Sequence, residues 1–252
     1  MSMFRSPVLS SLLFGLAGAS ALAAPTPGLN GRVDGHNYIS PAGDYEIRIP
    51  VLPELGGTIS DTQTVVIFQD DYNVHTSIGS FTQDATQRWE LSTRGLKDYL
   101  TYFFSNFVMP DFNQMFPGAK IETAVFRPEL RGGALITYTL LPGGSMFTQQ
   151  AATLATGNTP PVAKRGNLLF IQNDRIYVIS IELAERVLEG NQYHKTPAEE
   201  DAILRGRLED TAASMTFLKT APAAAAPSPS AAPTPTTPTA HAAPATPAAS
   251  GK

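Results

Sequence analysis

Apolar and polar residues alternate along most of the middle of the chain, and that period predicts strands. Asp44-Tyr45-Glu46-Ile47-Arg48-Ile49 puts Tyr45, Ile47 and Ile49 on one face, after a Ser40-Pro41-Ala42-Gly43 turn, and stops at Pro50. Thr64 to Phe68 is a second apolar run. Asp70-Asp71-Tyr72-Asn73 turns the chain, and Val74 to Phe81 returns. Ile121 to Phe126 and Ala134 to Leu141 flank Pro128–Gly133 as a second hairpin. Leu168 to Gln172 and Arg175 to Leu183 flank Asn173-Asp174, a pair suited to a tight turn with positive φ. The pattern therefore predicts seven main strands, largely antiparallel.

Two segments carry the helical period instead. Over Ser92 to Val108, the residues Leu96, Tyr99, Leu100, Phe103 and Phe107 recur at steps of three and four, and Pro110 is expected to end the helix. Seven aromatic residues lie between positions 99 and 116, so this helix is expected to fill the core rather than line a ligand pocket. The second helix opens at Thr196-Pro197-Ala198-Glu199, where Thr caps, Pro takes the first position and Glu the third. Glu200 and Asp201 add negative charge at the positive end of the helix dipole. Ile203, Leu204, Leu208, Ala212, Met215 and Leu218 supply the apolar face.

The two ends stand apart. Val8 to Leu22 is a short apolar run after Arg5, and Ala21-Leu22-Ala23 offers small residues for cleavage, so residues 1–23 read as a secretory signal cut after Ala23. The run is shorter than the roughly 20 residues a spanning helix needs, and no second one follows. Ala221 to Lys252 holds 13 Ala, 8 Pro, 5 Thr and 3 Ser in 32 residues, which leaves nothing to form a core. Residues 24–220 remain as a single α+β domain.

Composition removes several kinds of chemistry. With 18 Lys and Arg against 22 Asp and Glu, the net charge is −4, so no basic face for nucleic acid is expected. There is no cysteine, which removes disulfides, Cys-based metal sites and thiol nucleophiles. His36, His75, His194 and His241 are scattered, with no pair at zinc-binding helical spacing. Gly143-Gly144-Ser145-Met146-Phe147 lacks the second glycine of a nucleophile elbow. Asp70-Asp71-Tyr72-Asn73 lacks the layout of a calcium loop and reads as a turn. Glu199, Glu200 and Asp201 read as capping. Lys164 and Arg165, with Arg127 and Arg131, read as a basic spot on solvated strand ends. No catalytic residue, metal or cofactor is expected. The segment 142–163 has no period at all, and loops of that length inside a domain are often functional. Its Met146 and Phe147 are the candidate partner-binding residues, as exposed apolar side chains.

Taken in order along the chain, three motifs resemble PsbP-like (Mog/PsbP-type) domains, over about residues 36–219. They are Tyr38-x-Ser40-Pro41-x-Gly43-x-Tyr45-x-Ile47-x-Ile49-Pro50, the Asn173-Asp174-Arg175-Ile176-Tyr177-Val178 hairpin, and the closing helix running into Ser214-Met215-Thr216-Phe217. The resemblance implies a central antiparallel sheet of about seven strands between helices, an α/β/α sandwich. It also implies a non-enzymatic binding or assembly role. The expectation is a periplasmic or secreted accessory protein of the cell envelope with a protein partner. The alternatives are a carrier of a small hydrophobic ligand, and a hydrolase whose site is assembled from distant residues.

Intact-mass measurement of the exported protein is expected to give a chain that starts at Ala24. An uncleaved chain in the membrane fraction would contradict the leader reading.

Overall fold

In the computed structural model, which describes residues 28–147 and 161–218, the alternating segments pair into two sheets. The expected leader, the 221–252 tail and the middle of the 142–163 segment lie outside the described residues. Numbered along the chain, the strands are β1 Arg32–Asp34, β2 Asn37–Ile39, β3 Tyr45–Arg48, β4 Thr58–Asp61, β5 Val65–Gln69, β6 His75–Thr82, β7 Lys120–Arg127, β8 Ala134–Pro142, β9 Val162–Gln172, β10 Arg175–Glu182 and β11 Met215–Phe217. The large sheet has the order β4-β5-β6-β10-β9-β8-β7, antiparallel throughout. The small sheet has the order β1-β2-β3-β11. The fold is α+β.

The large sheet has the expected seven strands with one exchange of members. Tyr45–Arg48 belongs to the small sheet, and Thr58–Asp61 takes the vacant place at the edge. The small strands β1, β2, β4 and β11 are three or four residues long, too short for their alternation to stand out. The β9–β10 turn is as expected: Asn173 and Asp174 have φ of 50° and 57°, the two left-handed residues that match the twist of a hairpin. Between Ile121 and Thr123 a bulge shifts the β7–β8 register.

The helices are α1 Ala85–Arg94, α2 Leu96–Phe103, α3 Met109–Met115, α4 Glu185–Leu188 and α5 Pro197–Ser214. The first helical segment differs from expectation in three ways. It starts seven residues earlier, where Asp84 accepts from the Gln87 N–H and the Gln87 side chain returns the bond. It breaks at Gly95, whose φ of 80° and ψ of 161° no ordinary residue adopts easily. It does not end at Pro110, which sits in the first turn of α3, where a missing N–H leaves no bond unmade. Between α2 and α3, Phe104–Val108 widen into a π-turn in which the Met109 N–H reaches Phe104 O, five residues back. That extra residue rotates the stripe. Val108 turns inward, and Phe107 is only half-buried.

Each face of the large sheet has its own core. Tyr99, Leu100, Phe103, Phe104, Val108 and Phe112 pack on Leu135, Leu169, Ile176 and Val178, so the aromatic helix is core, as expected. The opposite face carries α5 and the small sheet. Leu204, Leu208 and Ala212 join Tyr38, Tyr45 and Ile47 over Phe68, Ile78, Phe170 and Ile179. Gly166 lets α5 approach, because a β-carbon there would lie 2.9 Å from Leu208 Cδ1 and 3.1 Å from Leu204 Cβ.

One carboxylate fastens the small sheet to the large one. Asp44 is 2% exposed. It accepts from Ser40 Oγ at 2.6 Å in its own turn, from Ser80 Oγ at 2.5 Å on β6 and from Tyr177 OH at 2.8 Å on β10. Arg175 Nε lies 2.8 Å away. Burial pushes the Asp44 pKa up, but these three hydrogen bonds and the Arg175 charge outweigh it and hold the carboxyl below its ordinary value.

Asp44→Asn is expected to cost about 3 kcal/mol at neutral pH in urea unfolding, the scale for breaking a buried ion pair. Because folding lowers the Asp44 pKa, its contribution is complete above the ordinary value of 3.8 and is lost as pH falls through the folded value. The gap between wild type and variant should therefore narrow below about pH 4.

Candidate functional site

Lys164 and Arg165 do not form a solvated basic spot. Both are buried inside β9, and alternation sends them to opposite faces of the sheet. Lys164 is fully buried under the start of α5. Its Nζ lies 2.5 Å from Glu122 Oε2, 2.6 Å from Asp201 Oδ1 and 3.1 Å from Glu200 Oε2. Arg186 pairs with the other oxygen of Glu200, and its Nε donates to Val162 O at 3.0 Å. Burial lowers the Lys164 pKa, but the hydrogen bonds with Asp201, Glu122 and Glu200 reverse this and leave it above the ordinary value. The network pins α5 to β9 and to edge strand β7. Arg127 pairs with Glu129 at 2.5 Å, and Arg131 lies over the Phe217 ring at 5.2 Å.

Arg165 faces the aromatic helices within a belt of buried polar side chains that crosses the central strands. Asn167 Nδ2 donates to Thr137 Oγ1 and Thr139 Oγ1, both at 3.3 Å, and Asn167 Oδ1 accepts from Ser180 Oγ. Glu182, 0% exposed, accepts from Ser145 Oγ at 2.5 Å and from the Met146 N–H at 3.0 Å. Arg165 Nη2 is 3.6 Å from Glu182 Oε2 and 3.5 Å from Gly144 O, and its Nε has no partner. Next to this belt, under the π-turn, is a cavity of about 30 Å³ bounded by Arg165, Ser77, Ser180, Val108, Phe112 and Val178. His75 lies on the same face. Burial first, and the Arg165 charge second, hold its imidazole well below the ordinary pKa, so it is neutral. Neither ring nitrogen has a partner.

On the other face, an open groove of about 290 Å³ runs between the β5–β6 turn and the second half of α5, lined by Pro50, Asn73, Val74, Ile181, Arg207 and Asp210. Arg207 is held by Glu185, to which its Nη1 donates at 3.1 Å. The segments flanking the groove carry Leu52, 58% exposed, Leu55, 40% exposed, and Tyr72, 58% exposed. The Asp71 N–H donates to Leu55 O at 3.4 Å, so these two segments abut.

The residues singled out in the sequence fall as follows. Phe147 is completely buried and Met146 half-buried, with its N–H on Glu182, so neither is the exposed apolar anchor expected of that segment. Asp70 Oδ1 accepts from the Tyr72, Asn73 and Val74 N–H groups at 3.0, 2.9 and 2.8 Å, as a turn-forming aspartate does. Thr196 and Glu199 form the expected capping box. Glu200 and Asp201 do more than cap, since they neutralise Lys164. His36 and His194 are exposed, His75 is buried beside Arg165, and His241 lies outside the described residues. Among the described residues no group of three or more acidic or histidine side chains is arranged to hold a metal ion. Nor is any described helix long and apolar enough to cross a membrane.

No family profile matches the chain, and no curated protein matches it. Solved structures to which the chain is similar include two. The Ran-binding protein Mog1p of Saccharomyces cerevisiae is 10% identical with a TM-score of 0.43, over 75% of this chain and 96% of that one. Cyanobacterial PsbP (CyanoP) of Synechocystis is 14% identical with a TM-score of 0.43, over 72% of this chain and 91% of that one.

Phe147→Ala is expected to lower stability by about 3 kcal/mol, as emptying a buried aromatic site does. Urea denaturation checks this, and a change under about 0.5 kcal/mol would mark Phe147 as a surface residue.

Proposed function

We propose that the protein is an exported accessory protein of the cell envelope that works by binding a protein partner. The observation that carries this reading is the apolar rim of Leu52, Leu55 and Tyr72 beside the open groove. Single exposed apolar residues are ordinary, but three on abutting segments make a patch of the kind that marks interaction sites. The groove is open rather than enclosed, which suits the flat, water-excluding contact of another protein better than capture of a small molecule. The cavity under the aromatic helix, at about 30 Å³, has no room for a hydrophobic ligand, which counts against a carrier. A hydrolase built around His75 would need a carboxylate on the imidazole, and its charged neighbour is Arg165.

The test is co-purification of the full chain from its envelope, identification of the partner by mass, and a binding measurement with that partner purified. Leu52→Ser with Tyr72→Ser is expected to change stability by less than about 0.5 kcal/mol, because both side chains are exposed. It should weaken binding about tenfold or more, roughly 1.4 kcal/mol. Unchanged affinity in the folded double variant would move the binding surface elsewhere.

A further inference from the structure

We infer that the cavity beneath the π-turn is a binding site for one small, weakly hydrated monovalent anion of the halide class, held by Arg165. The Arg165 guanidinium is 4% exposed and lies 6.0 Å from the Phe112 ring centroid, yet its hydrogen-bond donors are poorly met. A buried cation is stable only when other groups replace its lost water. Among the described residues Glu182 is the only carboxylate paired with Arg165, and its two oxygens are already engaged by Ser145 Oγ at 2.5 Å and the Met146 N–H at 3.0 Å. The nearest guanidinium nitrogen stands 3.6 Å from it, outside hydrogen-bond range. Among the described residues, the one side-chain hydrogen bond that Arg165 donates, to Gly144 O, is at the outer limit of 3.5 Å, and its Nε–H meets no acceptor.

The cavity supplies what is missing. It touches Arg165 and has a volume of about 30 Å³, above the roughly 10–15 Å³ that a single water molecule needs, so it has room for a small ion. Two hydroxyls line it. That of Ser180 donates to Asn167 Oδ1, whereas that of Ser77 is able to turn its hydrogen inward as a second donor. The remaining wall is apolar, with Val108, Phe112 and Val178. Such a wall does not replace the tight shell of a strongly hydrated ion such as fluoride. A loosely hydrated anion loses less on entry and meets the guanidinium, itself weakly hydrated. Water would satisfy the Nε–H but add no charge, and the neutral His75 beside it adds none either. The π-turn places Val108 and Phe112 as the roof, and such turns recur where helices cover functional sites.

Crystals of the full chain soaked in bromide are expected to show an anomalous peak within hydrogen-bond reach of Arg165 Nε. Water alone at that position would overturn the inference. In solution, chloride-35 NMR should show line broadening by the wild-type protein that falls to the buffer value in Arg165→Met and at least halves in Ser77→Val. The Ser77 variant keeps the guanidinium and its Glu182 contact, so it reads the pocket even where the Arg165 variant fails to fold. Equal broadening by wild type and the folded Ser77 and Arg165 variants would overturn the assignment.

Discussion

A carboxylate shut away from water has to be met by donors, and Asp44 finds them only where two sheets touch. Its own turn supplies Ser40, while Ser80, Arg175 and Tyr177 come from the centre of the large sheet. The small sheet therefore has one place to dock. Tyr45 then meets Tyr177 edge to face at 5.9 Å, and Phe217 on β11 meets the same ring at 5.0 Å. The beginning and the end of the described domain thus converge on one tyrosine of β10. Helix α5, which must reach β11, is obliged to cross β9 where Gly166 leaves room.

At that crossing two neighbouring residues of β9 take opposite courses. Lys164 points towards α5 and is met by three carboxylates, more than its charge requires. Arg165 points away and is met by one, at arm's length. The difference follows from strand alternation alone, which separates adjacent side chains by the thickness of a sheet. One face is closed by ionic attachment, and the other keeps a cation with spare donors under an aromatic roof. The exposed apolar rim stands beside α5 on the attached face, so a partner there would press on the helix that Lys164 secures.

Local chemistry was legible where a motif needs particular residues. Asn173-Asp174 must turn with positive φ, Thr196 with Glu199 must cap, and the aromatic run from Tyr99 to Phe112 must be covered. All three took the conformation that those residues demand. What escaped was whatever depends on a distant partner. Val162 and Ala163 read as the end of a loop, and Lys164 and Arg165 as solvated strand ends, yet β9 runs through all four because β8 extends to Pro142 and pairs with them residue by residue. Asp44 looks like any turn residue until β6 and β10 lie beneath it. The π-turn left no mark in the three-and-four spacing, because moving the inward position from Phe107 to Val108 exchanges one apolar residue for another. Phe147 looked free because Glu182, which holds the Ser145 hydroxyl and the Met146 N–H just before it, is 35 positions further along the chain.

The bulge in β7 matters beyond the β7–β8 pair. As the outermost strand of the large sheet, β7 carries a row of N–H and C=O groups with no neighbouring strand, and such a row can nucleate stacking of one molecule on the next. The register shift between Ile121 and Thr123 spoils the even spacing an incoming strand requires, and it occurs beside Glu122, whose charge is tied to Lys164 within. An irregular register and an acidic residue at the same point both make this edge a poor template for an incoming strand. The one residue of β7 that the bulge leaves without a cross-strand partner is thus the one that reaches back to a buried cation.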